Sequence, residues 1–335
     1  MKTALITTTI NVPHVLQLYR KLGLGVKFFV AVDEKTPKAA VTFCQHEVAD
    51  THVVSIEQQQ EYKCSALIGW NCIMRRNLAT LEALKWGADY IVSIDDDNIP
   101  LGGYFGEMFE ALTFTRGIQA SSWSDWFDVG TLLDPVSSHR GFPSAKKSES
   151  VFSSVVDARV GVAAGICLGD PDIDATTRMV NAPNVHHVSE LLRTGIVVKQ
   201  HCKTVFNSQN TAFIRELAPA FFMFPGVGRY DDIFASLVMQ RIMRERGLYV
   251  HFGQPFVWQQ RNPHNLAKDL KAEIWGMEHV VEFADALDGA VLSENGSVIE
   301  HMRAILKHVS DPQILPAQAI MAAEAWCNDC EKVMG

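Results

Sequence analysis

Residues 95–98 read Asp-Asp-Asp-Asn, directly after the apolar, β-branched run Tyr90–Ile94. Such a run suits a buried strand. Three adjacent carboxylates repel one another unless a positive charge or water relieves them. Asp95 and Asp97 lie two apart, and their hard oxygens suit Mg²⁺ or Mn²⁺ together with the phosphates of a nucleotide. The plainer alternative is a solvated turn after an edge strand. The strand before the cluster is too apolar for an edge, which favours the metal reading.

Two further acidic groups stand out, Asp170–Asp174 and Asp231–Asp232. Asp231 opens a helical pattern, where a carboxylate either caps the helix or serves a site. Asp232 follows the loop Pro225-Gly226-Val227-Gly228-Arg229-Tyr230 and is placed to take a proton from an acceptor hydroxyl. Asp170-Pro171-Asp172 also fits a proline turn with side-chain hydrogen bonds. Arg75 and Arg76 precede the metal strand. An arginine there pairs bidentately with phosphate, and one of the two is expected on a solvated helix face. Arg140 sits in a long polar stretch. His264 is either a metal ligand closing the coordination shell or polar surface.

These residues need positioning elements. Strands are expected over Ala4–Ile10, Lys27–Val32, Val53–Ile56 and Tyr90–Ile94. Helices are expected over Val15–Leu22 and Ala66–Trp86, the latter with Ile73, Leu78, Leu81 and Leu84 at helical spacing. This βαβ rhythm predicts an α/β fold with a doubly wound, mostly parallel sheet flanked by helices. Ligands of such sheets bind beyond the carboxyl ends of the strands, where Asp33 and Asp95 both fall. Ser121–Ser154 reads as loops over the site, and Val160–Leu168 as buried with close approaches. Asp231–Arg246 reads as a helix and Tyr249–Phe252 as a strand. The chain from about Asp269 reads as helical. The expected division is a nucleotide-sugar-binding catalytic domain over 1–280 and a helical C-terminal extension over 281–335.

The net charge of −8 over 335 residues gives no general attraction to nucleic acid or anionic membranes, although a local basic patch stays open. Seven scattered cysteines read as reduced thiols of a cytoplasmic protein. The lone Cys327-x-x-Cys330 lacks a second pair for zinc. No segment reaches the ~18 apolar residues of a membrane span.

Several motifs, in order, resemble those of STELLO-type glycosyltransferases and of the plant reversibly glycosylated polypeptides, which act as UDP-arabinopyranose mutases. They are Val32-Asp33, Arg75-Arg76-Asn77-Leu78, the Asp95–Asp97 triplet, Arg140-Gly141-Phe142-Pro143, Gly169–Ala175, Gly228-Arg229-Tyr230-Asp231-Asp232 and Arg261-Asn262-Pro263. The resemblance covers about residues 1–280. It implies a GT-A fold, a UDP-linked donor, and Mn²⁺ or Mg²⁺. By it Asp33 meets the nucleobase or ribose, Arg76 and Asp96 belong to the nucleotide site, and Asp95 and Asp97 bridge metal and ribose. Asp231 and Asp232 face sugar and acceptor. Arg140 matches the arginine that becomes glycosylated in the mutases. The mutases carry a histidine just before Asn-Pro, where this chain has Gln259 and Gln260. His264 is then the substitute third ligand. Ser144–Ser150 also departs.

The expected function is a metal-dependent glycosyltransferase with a nucleotide-sugar donor and Asp232 as base in an inverting reaction. The acceptor is left open among glycan, protein, small molecule and modified nucleic acid base. The alternatives are a UDP-sugar mutase with transient glycosylation of Arg140, and a nucleotide-sugar-binding protein without turnover.

Overall fold

The computed structural model describes residues 1–261 and 264–335. Its centre is an eleven-stranded sheet. From one edge the order is Thr51–Val54, Val26–Ala31, Thr3–Thr8, Tyr90–Ile94, Asn210–Ile214, Arg159–Gly169, Leu248–Gln259, Ile196–Val198, Arg116–Ser122 and Ser150–Asp157, with Asn98–Pro100 pairing onto Leu248–Gln259. The first four are mutually parallel, and Asn210–Ile214 runs antiparallel to both its neighbours. Helices cover both faces of the central strands, which is why Thr3–Thr8, Val26–Ala31 and Tyr90–Ile94 are largely buried rather than alternating. Ala4, Ile6 and Phe29 face one core with Leu78, Leu81, Ile233 and Trp326; Leu5, Phe28 and Val30 face the other with Leu16, Tyr19 and Tyr104. Successive residues of a strand point to opposite faces, so both cores are filled by one strand set. The expected α/β, doubly wound, GT-A-like architecture is the one observed, closed by three C-terminal helices at Leu266–Gly289, Val298–His308 and Ala317–Met334.

Three local expectations need correction. The single helix over Ala66–Trp86 is two helices, Lys63–Ile68 and Arg76–Trp86, with a short 3₁₀ turn at Ile73–Arg75 between. Gly69 (φ 81°) and Asn71 (φ 61°) adopt left-handed conformations that a helix cannot hold. Second, neither Arg75 nor Arg76 is on a solvated face, because both are buried. Third, Ser121–Ser154 is not all loop. Its ends belong to the antiparallel strands Arg116–Ser122 and Ser150–Asp157.

Val160–Leu168 is buried as expected, inside the central strand Arg159–Gly169. A Cβ at Gly165 would stand 2.4 Å from both Asn210 Nδ2 and the Pro255 carbonyl, so only glycine fits there. Cys327 and Cys330 are buried free thiols of the last helix. Among the described residues no helix is long and apolar enough to cross a membrane.

Candidate functional site

The parallel strands Thr3–Thr8, Val26–Ala31 and Tyr90–Ile94 end on one edge of the sheet, and the Asp95–Asp97 triplet forms the floor of a cleft there. The three carboxylates are held differently. Asp95 Oδ1 accepts from Arg76 Nη2 at 2.6 Å. The other end of the Arg76 guanidinium donates to the Ser208 carbonyl and hydroxyl, at 2.9 and 2.8 Å. Arg76 is therefore a buried anchor of Asp95, with its cation beneath the cleft floor. Asp96 accepts from the Thr9 hydroxyl. Asp97 Oδ1 is buried and has no hydrogen-bond partner among the described residues. Burial, then the charges of Asp95 and Asp96, push its carboxyl up to about 7. An unpaired, desolvated carboxylate oxygen beside a second carboxylate fits a divalent cation.

His264, the expected third ligand, lines the cavities beside Asp95 and Asp97. His264 Nδ1 pairs with Asp269 Oδ2 at 3.0 Å. Among the described residues no group of three or more His, Cys, Asp or Glu side chains is arranged to hold a metal ion. Any cation on Asp95 and Asp97 would need ligand or water oxygens to complete its shell.

Two cavities meet over the triplet. One, of about 310 Å³, runs toward Thr9, Asn11, Asp33, Asn71 and Asp96. Its wall is the loop after the broken helix. Asp33 pins this loop: Oδ2 accepts from Cys72 N at 3.0 Å, and Oδ1 accepts from Glu34 N at 2.8 Å. Arg75 braces the loop from behind. It donates to Gln59 Oε1 at 2.7 Å and to the Ser65 and Gly69 carbonyls at 3.0 and 3.1 Å, and stacks on Trp70 at 3.8 Å.

The second cavity, of about 350 Å³, shares Cys72, Ile73, Asp95, Asp97 and His264 with the first and extends to Arg140, Asp231, Gln259 and Arg261. Each volume falls in the range of small-ligand pockets, ~300–1,000 Å³. Arg140 is buried at the end of this cavity, and every one of its nitrogens donates. Nε and Nη2 grip Asp172 at 2.9 Å each, Nη2 also reaches Asp232 Oδ1 at 3.0 Å, and Nη1 meets the Arg229 carbonyl. Burial alone would raise the Asp172 carboxyl, but the Arg140 guanidinium outweighs it and holds the group well below the usual carboxylate range. Asp172 is thus a buried ion-pair partner, while Asp174 caps the helix Ala175–Val180 by accepting from Thr177 N at 2.7 Å. Asp232 is also saturated. Its Oδ2 accepts from Ser208 N at 3.0 Å and Ser208 Oγ at 3.1 Å.

Asp231 is the first residue of the helix Asp231–Glu245 and is not its N-cap, a position Tyr230 occupies; its Oδ1 accepts from Asp232 N at 3.0 Å. Burial, then the Asp232 charge, push the Asp231 carboxyl up to about 7. Asn262 and Pro263 of the expected motif lie outside the described residues.

Ser208 and Gln209 were not singled out by sequence reasoning. Their only signal is the polar run Asn207-Ser208-Gln209-Asn210 ahead of an apolar strand. Ser208 connects the two halves of the cleft, since it accepts from Arg76 and donates to Asp232.

The chain thus combines a GT-A-like sheet with a carboxylate floor and a divided cleft. Comparison with known proteins gives the family: the model for the reversibly glycosylated polypeptides matches residues 67–334, and this chain belongs to that family. It is 30% identical over 213 residues to a probable UDP-arabinopyranose mutase 2 of Solanum tuberosum, covering 59% of this chain and 54% of that one. It is 31% identical over 208 residues to UDP-arabinopyranose mutase 1 of Oryza sativa subsp. japonica, covering 58% and 54%. UDP-arabinopyranose mutase 1 of Arabidopsis thaliana is 30% identical over 210 residues, covering 58% and 55%. The chain spans about half the length of the curated relatives it matches.

Proposed function

We propose that this chain binds a UDP-sugar and acts on it as a mutase, interconverting ring forms of a pentose without an external acceptor. The observation that carries the reading is the divided cleft, whose two cavities share Asp95 and Asp97. The nucleoside lies toward Asp33 and Asn71, the diphosphate over the triplet, and the sugar against Asp231. A Mn²⁺ or Mg²⁺ ion held by Asp97 and Asp95 would supply charge neutralisation of the diphosphate.

Asp232 is held by Arg140 and Ser208, which leaves it poorly suited as the base of an inverting transfer. Going from pyranose to furanose exchanges the C1–O5 bond for a C1–O4 bond and moves one proton from O4 to O5. No oxidant or acceptor is consumed. Asp231, titrating near 7, suits the carriage of that proton. Arg140 serves as a fixed cation that positions Asp232. A covalent arginyl glycoside would require its guanidinium to leave Asp172 and Asp232 and to lose a proton. The membership of this chain in a family with UDP-arabinopyranose mutases supports the same reading.

The test is incubation with UDP-arabinopyranose and Mn²⁺, with chromatographic separation of the pyranose and furanose forms. The expected result is interconversion that Asp231→Asn reduces at least tenfold. Folded wild-type protein that leaves the sugar unchanged, or that releases UDP only when an acceptor is added, overturns the mutase reading.

A further inference from the structure

Gln259 ends the strand Leu248–Gln259; its carbonyl accepts from Asp170 N at 3.3 Å, and the residue is in register with Asn98 and Gly169. Gln259 is 3% exposed and lines the larger cavity, and its Oε1 is buried with no hydrogen-bond partner among the described residues. Arg261 lines the same cavity with a side chain that is 8% exposed; its Nη2 reaches the Pro171 carbonyl at 3.5 Å, and its Nε has no hydrogen-bond partner among the described residues. The nearest carboxylate oxygens to that guanidinium, on Asp170 and Asp172, stand at 3.6 and 3.9 Å. Buried polar groups are paired with few exceptions, so an unpaired Gln259 oxygen beside a loosely held Arg261 on one cavity wall needs an explanation.

We propose that Gln259 and Arg261 form a sugar-hydroxyl subsite that holds the glycosyl ring of the bound nucleotide sugar. The chemistry of the pair selects the ligand. A hydroxyl donates one hydrogen bond to the Gln259 oxygen and accepts another from Arg261. A phosphate offers only acceptors and would leave the Gln259 oxygen unpaired. A metal ion would satisfy that oxygen but would be repelled by the Arg261 cation. Adjacent hydroxyls of a pentose match both partners at once. The inference rests on the nucleotide-sugar reading above and adds the residues that recognise the sugar.

The experiment compares binding of UDP and of UDP-arabinopyranose, by calorimetry with Mn²⁺, to wild type and Gln259→Leu. Wild type is expected to bind the sugar nucleotide more tightly than UDP. Gln259→Leu is expected to lose about 10- to 100-fold for UDP-arabinopyranose and to keep its affinity for UDP. Because the substitution removes an unpaired buried polar group, the variant is expected to melt at the same or a higher temperature, which separates loss of recognition from loss of fold. A variant that keeps the wild-type preference for UDP-arabinopyranose over UDP overturns the subsite alone. Wild-type protein that binds neither ligand overturns the nucleotide-sugar reading and the subsite with it.

Discussion

Arg140 and Asp232 stand 92 residues apart in the chain, yet their side chains meet at 3.0 Å inside the protein. The same guanidinium also holds Asp172, so one cation balances two buried carboxylates. Removing one member of such a cluster leaves charge unpaired in a low-dielectric interior, at a cost of about 3–5 kcal/mol. Arg140→Ala is therefore expected to destabilise the fold by that amount. Arg140→Lys should recover only part of it, since an ammonium lacks the planar fork. Pairing Arg140→Met with Asp172→Asn should cost less than Arg140→Ala alone. Urea unfolding of the three variants measures this; a loss under 1 kcal/mol for Arg140→Ala contradicts the buried charge balance.

Asp97 and Asp231 set the pH dependence. Both carboxyls are raised to about 7 in the folded protein, against about 4 in an unfolded chain. Between these values the folded state binds more protons than the unfolded state, so stability falls as pH rises across that window. Asp172 has the opposite sign: its depressed carboxyl contributes stability at neutral pH that is lost only in strong acid. The melting temperature is thus expected to drop from pH 5 to pH 8. Asp97→Asn and Asp231→Asn should each flatten that slope. Added Mn²⁺ should raise the pH 8 melting temperature of wild type and do little for Asp97→Asn. A slope that survives both substitutions assigns the titration elsewhere.

Much of the fold was legible because it depends on short-range pattern. Tyr90–Ile94 followed by three aspartates marks a strand and the ligand edge beyond it within eight residues. The helix break before Arg76 was hidden because Ile73 fits the apolar spacing of Leu78 and Leu81, while Gly69 alone is compatible with a helix. The structure exposes Ile73 at 41% and turns the chain at Gly69 and Asn71. The Arg140–Asp172–Asp232 cluster has no period to read. Its members sit in a loop, a turn and a helix start, and only the tertiary fold makes them neighbours. Both arginines before the triplet have the same cause: nothing local shows that Ser65, Gly69 and Ser208 will supply their partners.

Arg75 links a buried brace to the end of the cleft lined by Asp33 and Asn71. Its contacts to the Ser65 and Gly69 carbonyls and to Trp70 fix the loop that carries Asn71 and Cys72. Arg75→Lys keeps a charge but loses the multidentate grip. UDP affinity is expected to fall about tenfold, with a stability loss of about 1–3 kcal/mol for the carbonyls left unpaired. Calorimetric titration with UDP distinguishes this from a purely structural role, in which stability would fall and affinity would stay.

The last helix is expected to be inseparable from the rest of the fold. Trp326 is wholly buried, stacks near Phe222 and donates through Nε1 to the Pro219 carbonyl at 2.8 Å. Asp329 accepts from the backbone N–H groups of Lys63 and Cys64, at 3.2 and 2.9 Å, at the start of the helix Lys63–Ile68 that leads into the Gly69–Cys72 loop. Residues 281–335 therefore complete both the core and the first turn of a helix two hundred and more positions earlier. Trp326→Ala is expected to cost about 3–5 kcal/mol, as for other large aromatic truncations in cores. Asp329→Ala is expected to cost about 0.5–2 kcal/mol and to weaken UDP binding, because the helix it caps aims the Gly69–Cys72 loop. A chain cut after residue 280 should lose cooperative unfolding; if it instead melts in one sharp transition and binds UDP like the full chain, the C-terminal helices are an independent extension.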